Sequence, residues 1–384
     1  MPTAPARRED RTEPDIEMAV DLEHRDRPIR IGMVGSGFMA QQHSAAYRLM
    51  AILLGGAVPP IELVRIAGGR RVGEVGPRYG WAQTGDDWRS VTEAADIDVV
   101  DIVTPNDSHA YLTRSAAAAG KDIVCEKPLA PDLAAAEQMV ADVQAAGVRA
   151  TVCFVYRTWP ATQLAKVMID SGRLGTVHGY RGHFLHDHFA DHDAQNSWRL
   201  DPTKAGSGVI GDIGSHALDL ARYLVGDLTR LSVRSRSLLS GLVEDEADLD
   251  LEFAGGATGH VWLSWLASGI PMDVGFHVMG DRGALKFSWT RPSELSFYDA
   301  TVPAGERGFR TIQLGPEHAA AAPYLPVAGI GMSYQSAFVP LLGAFLGSQN
   351  SVTSPSFADG LQASRYLASA LDSAAQDGAA MVVR

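Results

Sequence analysis

Asp212 and His216 stand four residues apart at the start of a stretch with helical periodicity, and Asp219 and Tyr223 continue the same stripe at spacings of three and four. Residues at i and i+4 meet one turn apart on a helix, so a carboxylate and an imidazole come together there. The glycines just before them, Gly206, Gly208 and Gly211, let another molecule approach closely. Such a pair could move a proton. Lys127 supplies a cation. It sits in Glu126-Lys127-Pro128, directly after the apolar run Ile123-Val124-Cys125, and the proline confines it to extended backbone and fixes its exit direction. Aimed into a crevice, its ammonium could donate to a substrate oxygen and stabilise developing alkoxide charge. The pair alone equally admits a bland reading, an acid near a helix N-terminus beside a partly buried histidine, so the surrounding elements must decide.

Those elements begin at Ile29. The run Ile29 to Val34 reads as a strand, followed by Gly35-Ser36-Gly37-Phe38-Met39-Ala40 and a helix over Met39 to Met50. The pattern G-x-G-x-x-A fits a dinucleotide turn: Gly35 permits the bend, Gly37 lets the backbone approach a pyrophosphate, and Ala40 allows helix to pack on strand. Phosphate would then sit at the helix start, near Phe38 and Met39. After an insertion (Ala51 to Pro60), a second strand runs Ile61 to Ala67 and ends in Gly68-Gly69-Arg70-Arg71. An acid at that end usually holds the ribose 2′-hydroxyl of NAD. Here two guanidiniums stand ready for a 2′-phosphate, so Gly69 and Arg70 lean the expected cofactor, NAD or NADP, toward NADP. Ile97 to Val103 is nearly continuously apolar, as a central parallel strand should be, and it ends in Thr104-Pro105-Asn106 with His109 three residues on. Strand ends line the cofactor crevice in such sheets, which places Thr104 to His109, Glu126 and Lys127 on its rim. A helix (Asp132 to Ala146) and a strand (Ala150 to Val155) complete the alternation.

Beyond Tyr156 and Arg157 the pattern changes. A helix from Pro160 to Ser171 precedes segments of period two at Thr176 to Leu185, Leu231 to Leu238, Asp248 to Phe253, Thr258 to Leu266, Asp273 to Met279 and Ala284 to Phe287. Without helices between most of them, they predict an antiparallel-type sheet with one covered face. Residues 301–331, rich in Gly, Pro and Ala, predict a long functional or subunit-contact loop. Helices follow near Ser333 to Leu346 and from Ser356 to Ala375. The fold class is thus α/β: a doubly wound parallel sheet at 29–155, then an α/β part with a largely antiparallel open sheet at 156–384. Residues 1–28, charged and Pro-containing, are expected to be a disordered tail. His178, His183, His186, His188 and His192 crowd one region with Asp187, Asp191 and Asp193. On a strand, 186 and 188 share a face that 183 does not, so no metal site is expected, and the region reads as a polar substrate-facing loop ending at Ser197-Trp198-Arg199.

The composition excludes other classes. A net charge of −12 argues against nucleic acid, no apolar run is long enough for a bilayer, and Met1 to Pro28 lacks the apolar core of a secretory signal. Cys125 and Cys153, each in an apolar strand-like run, read as buried free thiols, which suits the cytoplasm.

With Gly35-Ser-Gly37-Phe-Met-Ala40, Thr104-Pro105-Asn106, Glu126-Lys127-Pro128 and Gly208-x-x-x-Asp212-x-Gly-x-His216 in this order, residues 29–378 resemble the glucose-fructose oxidoreductase and inositol dehydrogenase family (Gfo/Idh/MocA). Asp87-Trp-Arg-Ser, Ser197-Trp-Arg, Gly308-Phe-Arg-Thr, Gly329-Ile-Gly and Ser354-Pro-Ser-Phe-Ala-Asp-Gly360 are similar to its levoglucosan and inositol dehydrogenase branch. The resemblance implies NAD(P)-dependent oxidation of a sugar or cyclitol hydroxyl by a homodimer or homotetramer. It implies that Lys127 orients the hydroxyl, that His216 is the acid/base, and that Asp212 binds substrate and tunes His216. Tyr156, Arg157, Trp198 and Arg199 would line the sugar pocket. Gly68 departs from the usual acid, and Val155 from the branch's common Asn. The same residues would serve a glycosidase-like lyase that oxidises its sugar transiently, whereas a non-catalytic nucleotide sensor has no use for Lys127, Asp212 and His216 together.

Overall fold

The computed structural model describes residues 27–190, 197–239, 241–347 and 352–383. The expected tail lies outside these residues except for Arg27 and Pro28, and Arg27 forms an ion pair with Asp98 at 2.6 Å. Six parallel strands make the first sheet: β1 (Ile29–Val34), β2 (Ile61–Ala67), β3 (Gln83–Gly85), β4 (Val99–Ile102), β5 (Asp122–Cys125) and β6 (Ala150–Val152). Their order is β3-β2-β1-β4-β5-β6, so the winding reverses between β1 and β4, where open α/β sheets receive ligands at their carboxyl ends. Every side chain of β4 is buried, Asp101 among its apolar neighbours included. The helices are α1 (Phe38–Leu53), α2 (Val72–Tyr79), α3 (Arg89–Thr92), α4 (His109–Ala118) and α5 (Leu133–Ala146). The insertion expected from Ala51 is shorter than read, because α1 continues to Leu53. The brief edge strand β3 was not anticipated; two of its three residues are exposed, which leaves no apolar pattern to read.

The second sheet follows α6 (Pro160–Asp170). Its strands are β7 (Val177–Leu185), β8 (Leu228–Arg236), β9 (Glu246–Phe253), β10 (Thr258–Ser264), β11 (Asp273–Gly280), β12 (Gly283–Ser288), β13 (Glu294–Asp299), β14 (Phe309–Gln313) and β15 (Met381–Val382). They are ordered β14-β13-β12-β11-β7-β10-β9-β8-β15. All neighbours pair antiparallel except β7 and β10, which run parallel. Alternating burial along β9 gives one covered face. Covering it are α8 (Ser215–Val225), reached through the short α7 (Pro202–Ala205), and α10 (Phe357–Ala375), which follows α9 (Phe338–Phe345). The expected loop at 301–331 is partly wrong: it contains β14, an exposed edge strand with no buried alternation. A capping box between Ser356 and Asp359 starts α10, and Val152 of β6 donates to Pro355 O at 3.1 Å just ahead of it. Thus α10 is tied at its start to the first sheet while its body packs on β8 of the second.

Candidate active site

A cavity of about 1060 Å³ runs along the carboxyl ends of the first sheet, lined by Gly35, Gly37, Phe38, Met39, Gly69, Arg70, Thr104 and Pro105 among others. Gly35 has φ of 115°, and a Cβ there would lie 2.9 Å from Val103 O. A Cβ on Gly37 would meet nothing within 4 Å. The space above Gly37 and the free N–H groups at the start of α1 fit a pyrophosphate, and Ala40 is fully buried beneath. At the far end, Arg70 is exposed, whereas Arg71 is paired with Glu74 at 2.8 Å. Asp86, which sequence reasoning did not single out, and Trp88, of the Asp87-Trp-Arg-Ser segment, line the same cavity.

A second cavity of about 370 Å³ shares Phe38, Met39, Thr104, Trp198, Arg199 and Asp212 with the first. Asn106, Glu126, Lys127, Tyr156 and His216 also line it. Lys127, just beyond β5, donates through Nζ to Asp212 Oδ1 at 2.9 Å and to its carbonyl at 2.8 Å. Arg199 Nε donates to Asp212 Oδ2 at 3.2 Å. Burial works against the Asp212 charge, but Lys127 and Arg199 outweigh it and hold the carboxyl far below the usual range. Asp212 lies in a π-helical turn, Ile210–Gly214, and His216 in the first turn of α8. The i, i+4 spacing therefore brings the two to one cavity, but Asp212 spends its oxygens on the two cations. Burial, reinforced by Lys127, pushes the His216 pKa well below that of an ordinary imidazole, so the ring is neutral near neutral pH. Tyr156 packs edge-on against it with centroids 4.9 Å apart.

Other predicted residues fall elsewhere. Arg157 does not line either cavity: it is buried and paired with Asp219 and, at 3.2 Å, with Asp359. A guanidinium committed to two acids has nothing left for a sugar. Asp219 leaves the polar stripe for this pair, and Tyr223 accepts from Gln163 at 2.9 Å. His109 is buried beneath the rim, bonded to carbonyls of Thr104, Pro128 and Leu129 at 3.0–3.1 Å, and touches neither cavity. The Asn106 amide donates to Ala205 O at 3.0 Å, bridging the rim to α7. Of the crowded histidines, His186 and His188 line both cavities with rings stacked 4.7 Å apart. His183 pairs with Asp273 at 2.9 Å; Asp191, His192 and Asp193 lie outside the described residues. The sequence reading missed Phe184, Met272, Tyr334, Gln335 and Phe338, which complete the second cavity. They converge from distant segments, and no local spacing signals it.

A sequence profile described as an oxidoreductase family with an NAD-binding Rossmann fold matches residues 29–154, and one for the GFO/IDH/MocA C-terminal domain matches residues 162–286. The chain belongs to the Gfo/Idh/MocA family of oxidoreductases. Within that family it is 34% identical to levoglucosan dehydrogenase of Pseudarthrobacter phenanthrenivorans over 91% of this chain and 97% of that one. It is 30% identical to scyllo-inositol 2-dehydrogenase (NAD(+)) of Bacillus subtilis, over 73% and 78% respectively. The solved structure of a levoglucosan dehydrogenase in complex with NADH and levoglucosan superposes with a TM-score of 0.89 at 34% identity, over 93% of this chain and all of that one.

Proposed function

We propose that this Gfo/Idh/MocA protein oxidises a secondary hydroxyl of a sugar, anhydrosugar or cyclitol by hydride transfer to NAD or NADP. The observation that carries the reading is the meeting of Lys127, Asp212 and His216 in the cavity that adjoins the one fitted to a dinucleotide. Bound nicotinamide would supply the hydride acceptor. The chain's own residues do the rest. Lys127 donates to the reacting hydroxyl and stabilises negative charge on its oxygen. His216, neutral, takes the hydroxyl proton. Its Nδ1 is fully buried without a partner among the described residues, which leaves Nε2 to meet the hydroxyl. Asp212 orients the Lys127 ammonium and offsets its charge. Tyr156 packs against His216, and Trp198 and Arg199 line the same cavity, where ring faces and a guanidinium suit a polyol.

For the nucleotide, Arg70 supports acceptance of a 2′-phosphate, since among the described residues it makes no ion pair, while Arg71 is neutralised by Glu74. Asp86 in the same cavity supports binding of a free ribose hydroxyl, so both cofactors belong in the test. The protein is read as a cytoplasmic homodimer or homotetramer. The apolar Trp262 and Phe309, exposed on the second sheet, support association, and no described helix is long and apolar enough to cross a membrane. A panel of cyclitols, anhydrosugars and pyranoses, followed by reduced-cofactor absorbance with NAD and NADP in parallel, should give turnover with at least one. Silence across the panel with both cofactors would sink the reading.

A further inference from the structure

Below the cavity that holds Lys127 lies a buried array of charges that proton transfer does not use. His43, on α1, faces both oxygens of Asp101 on β4 through Nδ1, at 2.9 and 3.2 Å. Its Nε2 faces Oε1 of Glu126 at 3.1 Å. Tyr47 O–H donates to Asp101 Oδ2 at 3.1 Å, and the Lys127 backbone N–H donates to Glu126 Oε2 at 3.1 Å. Polar partners therefore face all four carboxylate oxygens. An imidazole set between two carboxylates satisfies both only by donating through both nitrogens, which the imidazolium alone can do. Burial opposes that charge, but Asp101 and, after it, the neighbouring Cys153 override it and raise the His43 pKa well above the usual value. The thiol of Cys153 lies within 4.8 Å of the same group, and burial pushes its own pKa up to about 12. The array holds two anions and one cation.

Elsewhere along the cavity the balance is opposite. Lys127 and Arg199 are two cations against the single anion Asp212. The oxidised nicotinamide ring carries a positive charge that the reduced ring lacks, so a surplus of cations alone would disfavour the oxidised form. Glu126 lines the cavity directly after β5, at the strand ends where such sheets receive ligands. We propose that Asp101, His43 and Glu126 form a buried counter-charge that favours the oxidised nicotinamide over the reduced one. In it, His43 is a positioning residue that keeps the Glu126 carboxylate fixed and charged at the cavity floor. The inference rests on the dehydrogenase reading above, since it needs a dinucleotide in the cleft.

The test is calorimetric binding of the oxidised and reduced dinucleotide to the full chain, without substrate. In Glu126→Gln the ratio of the two dissociation constants should move roughly tenfold toward the reduced form, while Glu126→Asp, which keeps the charge, should retain the wild-type ratio. An unchanged ratio in a Glu126→Gln protein that still binds both forms overturns the counter-charge. A wild-type protein that binds neither form overturns the dehydrogenase reading beneath it. Should Glu126→Gln fail to fold, nitrogen-15 NMR of histidine in the wild-type protein decides. Both His43 ring nitrogens protonated at mildly alkaline pH is the expected result, and one bare nitrogen overturns the proposal.

Discussion

At the scale of residues, the chemistry depends on which groups are charged. Asp212 stays ionised because Lys127 and Arg199 outweigh its burial, and His216 stays neutral because burial and Lys127 act together. The signs lead to a measurable profile. A base whose folded pKa is depressed remains unprotonated as pH falls through the ordinary histidine range, so kcat/KM for oxidation should stay level through about pH 6.5 and decline only in more acid solution. An acid limb centred at or above the ordinary value would show that His216 is not the base or is not desolvated. Replacing Lys127 with Met removes one of the two influences that depress His216, so the His216 pKa, followed by NMR in the folded variant, should rise. The same depression bears on stability. The unfolded chain binds a proton that folded His216 refuses, so this contribution is present above the ordinary value and is lost as pH falls below it. Of this site, Lys127, Asp212 and His216 were legible in the sequence because proline, glycine and helical spacing mark them locally. The fate of Arg157 was not, because its partners Asp219 and Asp359 are 62 and 202 residues away and only the tertiary fold reveals that they claim it.

At the scale of elements, glycines in the two site-forming turns do different jobs. Space around Gly37 is open, and its φ of −79° is one any residue can adopt. At Gly208, ahead of the π-helical turn, a Cβ would come within 1.9 Å of Glu244 O. Gly37→Ala should therefore fold with a melting temperature close to wild type yet bind dinucleotide at least roughly tenfold more weakly, a loss of about 1.4 kcal/mol, because its methyl fills the space left for pyrophosphate. Gly208→Ala should instead lower the melting temperature, since backbone must shift to admit the methyl. Calorimetry and thermal melts on both variants separate the two. Full dinucleotide affinity in Gly37→Ala would remove the glycine turn from the cofactor site. The sequence showed these turns and the long strands of both sheets, where apolar period is strong. It did not show β3, β14 or β15, because short edge strands exposed to solvent carry no burial pattern, nor the interior strand β13, where only Leu295 and Phe297 are buried.

At the scale of the whole molecule, the cleft needs the two sheets held in a fixed relation, and the Arg157 cluster sits where they join. Arg157 follows the last strand of the first sheet, Asp219 lies on α8 against the second, and Asp359 starts α10, which touches both. Arg222 adds a second cation to Asp359 at 2.7 Å. Burial pushes the Asp219 carboxyl up and Arg157 opposes it, so without Arg157 the acid would be left charged and unpaired or would take a proton. Breaking one side of such a buried pair costs about 3–5 kcal/mol. Arg157→Ala should accordingly shift the denaturant midpoint strongly downward while raising KM for the polyol little in the fraction that remains folded. Arg157→Lys should recover only part of the loss, because an ammonium cannot reproduce the two-pronged geometry of guanidinium on carboxylate. A stable Arg157→Ala protein with KM raised tenfold or more would return this residue to the sugar pocket, where the family resemblance put it, and would mean that the sheets are held together by α10 without the cluster.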